Sequence, residues 1–282
     1  MKTAVLFGAG QVGAMLLRLV GGGYRIAAFA DNAPGKWGTK LLGVPILSPK
    51  AALAKKPDAV FLCVTDDRRA GEMTAQLKEL GYSGEIRTAA GLKIFDARAA
   101  VTRLLAEQIN RIPIPGAVAE LGVYHGEFAA IISEAFPDRP FHLFDTFEGF
   151  ANGDVQVERE RGFSRAASRD FSDTSMELAA RRIFHPERAV FHRGWFPDTF
   201  SGCEAESFAF VSIDADLYQP TAAALPLFWE RLSPGGVLML HDVNSTQFTG
   251  VSRAVEEFCA EKNILPMPVC DLHGSAVLRK NP

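Results

Sequence analysis

Phe210–Pro220 reads FVSIDADLYQP and Gly235–Asn244 reads GGVLMLHDVN. In each stretch a short apolar run ends abruptly in acids: Asp214 and Asp216 in the first, Asp242 beside His241 in the second. Continuous apolar runs of this length predict strands buried on both faces, as parallel sheets require. Both acid clusters then emerge at strand C-terminal ends, where open α/β sheets bind their ligands. Like charges held this close are unfavourable unless a cation or a proton joins them, so the pattern implies a divalent metal, a raised pKa, or both.

Working outward, the same alternation continues on both sides. Upstream come a strand GAVAELGV, a helix over 128–135, a strand FHLFDT, a helix from about 175 to 183 and a strand AVFHRG; downstream come helices over 221–232 and 252–262. The closing strands LPMPV and SAVLRK predict an antiparallel edge on an otherwise parallel sheet. The stretch 149–170, rich in Arg and Glu, is too long for an ordinary connection and reads as a mobile lid over an acceptor or as a solvated insertion. The N-terminal part repeats the logic on a smaller scale: strand TAVLF, a glycine turn, a helix over 12–20, strand YRIAAFA, a strand near Val60 and an amphipathic stretch over 69–80. The expected fold class is therefore α/β with two doubly wound Rossmann-like domains, residues 1–95 and 113–282. A polar helix over 96–112, closed by the Pro-rich RIPIPG, is expected to link them.

Composition fits this reading. A chain of 282 residues, 48% hydrophobic and 22% charged, accommodates two packed cores. A formal charge of −3 without a basic block argues against nucleic acid or an anionic membrane as the main partner. The four cysteines form no C-x-x-C pair and are expected to be reduced core residues. No apolar run reaches the length of a membrane span and no leader pattern opens the chain, so a cytoplasmic location is expected.

Two glycine turns carry the cofactor expectations. Gly8-Ala9-Gly10-Gln11-Val12-Gly13 lies between a strand and a helix, and Asp31 ends the next strand. That is the context of the dinucleotide fingerprint, with glycines for backbone approach to a pyrophosphate and an acid for a ribose diol, so NAD or another nucleotide is expected there. The same glycines also suffice merely to close a tight turn. The surrounding FADNAPGKWGTKLLGVPIL resembles small nucleotide-binding modules of bacterial sugar-modifying and polysaccharide-assembly enzymes. In the second turn, Ala119–Gly126, an acid sits inside the strand end and only two glycines follow, a poor cradle for phosphates. It resembles the first motif of class I S-adenosylmethionine methyltransferases, whose cofactor has no phosphate. Gly122 and Gly126 would admit the cofactor to the backbone, Glu120 would meet its cationic amino group, and Asp145 its ribose hydroxyls.

Taken in order, AELGVYHGEFA, FHLFDTFEGF, HRGWFPDTF, SIDADLYQPT, LSPGGVLMLHD and GVSRAVEEF are similar to the macrocin O-methyltransferase group, over nearly all of 113–282. The resemblance implies a class I methyltransferase fold and Mg²⁺-assisted methyl transfer from S-adenosylmethionine to a hydroxyl, often on a sugar. By motif it implies Asp214 and Asp242 as metal ligands and Asp216 as a ligand or general base. The sequence departs from that group at His241, where a second carboxylate is common; a broader set of bacterial methyltransferases carries His-Asp there.

The chemistry accounts for these residue types. A sugar hydroxyl is a poor nucleophile at neutral pH, and attack on a sulfonium methyl needs it partly deprotonated and held close. Mg²⁺ takes carboxylate oxygens, keeps open positions and lowers the pKa of a coordinated oxygen. Asp216 or His241 then accepts the proton. Simpler readings stand beside these: Asp214 and Asp216 as caps of the next helix, His241 bonded to backbone, Gly194-Trp195 as core rather than an adenine frame, His125 as a turn residue, and residues 172–175 as a helix cap rather than an adenine edge. His142, His185, His192 and His273 stand at no metal-ligand spacing and receive no role. Two other functions compete: an NAD-dependent nucleotide-sugar oxidoreductase, against which no Tyr-x-x-x-Lys pair occurs, and a non-catalytic nucleotide sensor. The expected partner is a small-molecule hydroxyl acceptor. The oligomeric state, a homo-oligomer included, stays open.

Overall fold

The computed structural model describes residues 2–20, 24–88, 97–271 and 274–281. The chain divides into two compact units, the first over Met1–Asp96 and the second beginning at Ala97. The expected boundary at residue 95 and the expected linker start at 96 lie outside the described residues.

In the first unit, strands β1 (Lys2–Phe7), β2 (Tyr24–Ala30), β3 (Lys40–Leu41), β4 (Val44–Leu47), β5 (Ala59–Leu62) and β6 (Glu85–Thr88) form one sheet in the order β3-β4-β2-β1-β5-β6. All neighbours are parallel except β3 against β4. Helices α1 (Gln11–Val20), α2 (Pro49–Leu53) and α3 (Asp67–Glu79) complete it. The central strand explains the pattern: Ala4 and Leu6 enter one core cluster, Val5 and Phe7 another. A strand that feeds a core on each face must be apolar at successive positions, which is how TAVLF reads.

The second unit opens with α4 (Ala97–Arg111), the helix expected to be a linker. It belongs to this unit, and Arg98, Ala99, Thr102, Ala106 and Ile109 form its buried stripe. Strands β7 (Ala117–Leu121), β8 (Phe141–Asp145), β9 (Ala189–Arg193), β10 (Phe208–Ile213), β11 (Leu232–Leu240), β12 (Met267–Pro268) and β13 (Ala276–Arg279) follow. Their order is β12-β13-β11-β10-β7-β8-β9, with β13 antiparallel to both neighbours and the rest parallel. The antiparallel edge is thus as expected. Helices α5 (Glu127–Ala135), α6 (Asn152–Glu160), α7 (Met176–Ala180), α8 (Tyr218–Arg231) and α9 (Thr249–Lys262) connect the strands. Along β10, Phe208, Val211 and Ile213 join one core cluster while Ala209 and Phe210 join the other. Fully burying a side chain of the Val, Leu or Phe class stabilises by roughly 1.5–3 kcal/mol, so this strand anchors both layers.

Strand order reverses between β7 and β10: the chain leaves β7 toward β8 on one side and β10 toward β11 on the other. Such a switch point opens a crevice beyond the strand C-termini. Among the described residues no helix is long and apolar enough to cross a membrane.

Candidate active site

Register places the acids side by side. Leu121, Ile213 and Leu240 are lateral partners across β7, β10 and β11, so the residues that follow them come out abreast. The ladder runs one step past the strands: Asp214 N–H donates to Leu121 O at 2.8 Å, His241 N–H to Ile213 O at 2.9 Å and Gly122 N–H to Phe144 O at 2.9 Å. Asp145 and Arg193 pair across β8 and β9 on the other side. A row Arg193, Asp145, Gly122, Asp214, His241 therefore lines the crevice.

Within that row a carboxylate cluster forms. His241 Nδ1 lies 2.9 Å from Asp214 Oδ1 and 3.0 Å from Asp242 Oδ2. The other oxygen of Asp214 accepts from Arg98 Nη1 at 2.7 Å. Asp216 and Asp242 both adopt left-handed backbone, φ +58° and +54°. Acids tolerate that region better than most residues, and stored strain of this kind is common where side chains must be aimed. Burial would raise the Asp214 carboxyl, but Arg98 and His241 beside it hold it well below the usual carboxylate range. Asp216 goes the other way: burial pushes it well above its ordinary value, and the charges of Asp214 and Asp242 and a hydrogen bond with Asp242 push it further. Burial would lower His241, yet contact with Asp214 overrides this and raises it to about 10. The imidazole is a cation at neutral pH.

Ligand atoms of Asp214, His241 and Asp242 all lie within 4.8 Å of one another. Carboxylate oxygens suit Mg²⁺, and the proton that crowding forces onto Asp216 is one a divalent cation would displace. The donor set fits the ion.

The glycine turn beyond β7 fits a cationic, phosphate-free cofactor. Glu120 is 1% exposed and its Oε2 has no hydrogen-bond partner. Burial raises its carboxyl well above the usual range, Arg98 opposes that, and Asp214, Asp145 and Glu127 add to it. An acid in this position lacks only a cationic donor. Gly122 has φ +87°, and a Cβ there would fall 1.8 Å from Asp214 O, so only glycine allows the β7 and β10 ends to approach. Gly126 caps α5. Asp145 organises the turn: Oδ2 accepts Val123 N–H at 2.7 Å and Tyr124 N–H at 2.9 Å, while Oδ1, among the described residues, accepts Phe147 N–H alone, at 2.7 Å. One acceptor position on Oδ1 stays open for a hydroxyl. Gly194 N–H donates to Asp145 O at 3.0 Å, bringing the Gly194-Trp195 corner to the same edge. Trp195 is 41% exposed, and its indole N–H is bonded to Asp154 Oδ2 at 3.0 Å.

Residues 172–175 cap the helix and tie it to the glycine turn. Ser175 caps α7, while Thr174 bonds to Tyr124 O, Asp173 accepts from the Tyr124 hydroxyl at 2.9 Å, and His125 Nε2 lies 2.7 Å from Asp173 O. The stretch 149–170 is not merely solvated. It contains α6, whose Asp154, Val155 and Glu158 are buried, and Glu158 Oε1 accepts the Tyr218 N–H at 2.7 Å.

The N-terminal glycine loop serves its own fold. Asp31 Oδ2 accepts Ala9 N–H at 2.9 Å and Lys36 Nζ at 3.0 Å, and Oδ1 accepts Ala33 N–H at 2.8 Å. Gly8 follows β1, Gly10 faces open space, and a Cβ on Gly13 would meet Gly8 O at 2.1 Å, so Gly13 is there for close helix-to-strand packing. A pyrophosphate needs backbone N–H donors, and the one in the middle of this loop is committed to Asp31.

Two things were missed from sequence. Arg98, on the helix read as a linker, bonds Asp214 and, at 3.0 Å, Ser212 Oγ, with its guanidinium 3.5 Å from the centre of the Phe128 ring. A lone Arg in a polar helix carries no marker of burial. Also, His142 and His192, left without a role, are brought together with Cys203.

The macrocin O-methyltransferase (TylF) family pattern matches residues 72–280. The mycinamicin III 3''-O-methyltransferase of Micromonospora griseorubida is 30% identical over 148 residues, 48% of this chain and 58% of that protein. The 8-demethyl-8-(2,3-dimethoxy-alpha-L-rhamnosyl)-tetracenomycin-C 4'-O-methyltransferase of Streptomyces olivaceus is 29% identical over 191 residues, 61% of this chain and 69% of that protein. The match thus spans under two thirds of the first relative's length. Among solved structures, the O-methyltransferase NovP shares the fold with a TM-score of 0.54 at 22% identity, over 66% of this chain and 80% of that one. The chain belongs to the macrocin O-methyltransferase family.

Proposed function

We propose that this protein transfers a methyl group from S-adenosylmethionine to a hydroxyl of a sugar or glycosylated metabolite, with Mg²⁺ at the acid cluster. The observation that carries the reading is the adjacency of two unlike sites at one sheet edge: an unpartnered buried acid, Glu120, beside a phosphate-free cofactor turn, and four titratable groups abreast of it. Family membership and relatives named for sugar O-methylation support the substrate class.

Glu120 receives the cofactor's amino group and Asp145 its ribose through the open position on Oδ1. Asp214 and Asp242 hold Mg²⁺, with Asp216 adjoining. Bound there, the ion would supply charge that lowers the pKa of the acceptor hydroxyl. Asp216 takes the hydroxyl proton: it adjoins Asp242 and, once a bound cation has displaced its own proton, is a free carboxylate at the cluster. His241 is the weaker candidate for that task, because it already carries its proton; it holds Asp214 and Asp242 in register instead. As the O–CH₃ bond forms, the CH₃–S bond breaks and its electron pair stays on sulfur, leaving S-adenosylhomocysteine. The cofactor's positive charge disappears in the step.

The test is label transfer from methyl-labelled S-adenosylmethionine to a panel of nucleotide sugars and glycosylated natural products, with and without chelator. Asp216→Asn is expected to abolish transfer while cofactor still binds. Cofactor binding without transfer to any member of the panel would favour the sensor. Binding of NAD but not S-adenosylmethionine would favour the oxidoreductase, for which no observation speaks.

A further inference from the structure

Apart from the acid cluster, one other set of metal-type side chains converges among the described residues: His142, His192 and Cys203. The topology makes the meeting. His142 on β8 is level with Val190 and His192 on β9 is level with Phe144, so the two histidines share a sheet face one diagonal step apart. Cys203 arrives from the turn after a short 3-10 helix, Asp198–Phe200, its N–H bonded to Phe200 O at 3.0 Å. His142 Nδ1 lies 2.9 Å from His192 Nε2, and Cys203 Sγ lies 3.7 Å and 3.8 Å from those same two nitrogens.

The sulfur separations are close to those a bound ion would impose, and the two nitrogens would have to part by about 0.5 Å to admit one. Zinc bonds of about 2.0–2.1 Å to nitrogen and about 2.3 Å to sulfur, at tetrahedral angles, put nitrogens about 3.4 Å apart and sulfur about 3.6 Å from each. A ring-to-ring hydrogen bond would account for the 2.9 Å contact alone. The thiol lies within hydrogen-bond reach of both nitrogens, the same convergence of three donor atoms that a metal uses. The surroundings sharpen the point: Phe144 stacks on His192 at 4.3 Å and the Phe208 edge meets His142 at 5.8 Å. Three polar groups set in a phenylalanine wall are costly to desolvate unless something returns that energy.

We propose that His142 Nδ1, His192 Nε2 and Cys203 Sγ form a zinc site with a fourth position for water, tying edge strand β9 and the turn after it to β8. His142 and Cys203 are buried and His192 is partly exposed, so the open position lies on the His192 side. Burial lowers both histidines and keeps them neutral, the form that ligates. Burial, with Glu206 and Glu204, raises the Cys203 thiol. On binding, the thiol proton leaves to solvent and any proton on the two facing nitrogens moves to the far nitrogen of its ring; nothing is oxidised or reduced. The site is independent of the methyl-transfer reading.

The experiment uses the full chain stripped of metal and titrated with Co²⁺, then with Zn²⁺ in competition. The expected result is a thiolate-to-cobalt charge-transfer band in the near ultraviolet, quenched by zinc. Cys203→Ser, nearly isosteric, should erase the band while circular dichroism stays unchanged. His192→Gln, at the partly exposed ligand, should weaken zinc by at least the roughly 10- to 100-fold that loss of an outer-shell partner costs. Asp242→Asn should leave the band intact. A wild-type protein without the band, a band that survives Cys203→Ser, or a band removed by Asp242→Asn would each overturn the proposal.

Discussion

Replacing Glu120 with Gln should move stability and cofactor affinity in opposite directions. In the free protein the Glu120 carboxyl is raised well above its ordinary value of 4.5 by burial, with Arg98 opposing and Asp214, Asp145 and Glu127 reinforcing. The folded chain therefore holds this proton more tightly than the unfolded one. As pH climbs past about 4.5 the unfolded state releases the proton first, and stability falls by about 1.4 kcal/mol per pH unit until the native pKa is passed. Glutamine cannot ionise, so the Glu120→Gln variant should match the wild type at acid pH and exceed it increasingly toward neutral and alkaline pH. Binding follows the reverse logic. A cationic amino group favours ionised Glu120, so wild-type affinity for S-adenosylmethionine should rise with pH below the native pKa. Glutamine loses a charged hydrogen bond worth about 1.5–3 kcal/mol, or roughly 10- to 150-fold in Kd. Urea unfolding across a pH series and isothermal titration calorimetry read the two effects. Parallel stability curves, or equal cofactor affinity, would refute the assignment of Glu120 to the cofactor's cation.

Arg98→Met should cost about 3 kcal/mol by urea unfolding, the low end for breaking a buried pair because His241 still neutralises Asp214; a double variant with Asp214→Asn should lose less than the two single changes together, and strict additivity would refute the pairing. Gly122→Ala should cost more than about 3 kcal/mol, since its Cβ would sit 1.8 Å from Asp214 O in a φ +87° backbone; a thermal midpoint within a few degrees of wild type would contradict this. Asp214→Asn and Asp242→Asn should each remove Mg²⁺ dependence and most turnover while leaving S-adenosylmethionine affinity within about twofold. If chelator leaves wild-type turnover unchanged, Asp216 acts without an ion. Trypsin should cut after Arg159, Arg161 or Arg165 more slowly with cofactor bound, because α6 must release Glu158 from Tyr218 N–H to open; equal rates would argue against a lid.

The elements that carry the site were legible because their burial is two-sided. Every residue of Phe208–Ile213 is buried, so the strand had to be written in apolar letters, and the acids had to begin where it met water. Register did the rest, since Leu121, Ile213 and Leu240 stand level and only their successors can converge. What escaped reading depends on contacts between residues far apart in sequence. Arg98 meets Asp214 across 116 residues and Cys203 meets His142 across 61, and no local spacing encodes either.

Helix α4 shows why a correct secondary-structure reading still gave the wrong role. The helix was expected and is present, but its fully buried stripe is Arg98, Ala99, Thr102, Ala106 and Ile109, with Val101 and Leu105 packed against the core only in part. Small side chains let a helix axis approach closely and look polar or neutral on any hydropathy scale. They disguise a packed helix as a spacer. The buried arginine completes the disguise, because its cost is met by groups distant in sequence, Asp214, Ser212 and the Phe128 ring. The resemblance read from the motifs, over 113–282, likewise left this helix outside, whereas the family match over 72–280 includes it. Yet without the cation the helix brings, Asp214 would lose one of the two groups that hold its charge beside Asp216 and Asp242, and the proton that burial and neighbouring charges place on Asp216 would be redistributed. The helix that precedes the sheet is therefore part of the acid cluster's electrostatics, and truncating the chain at Pro113 should destabilise that cluster rather than isolate it.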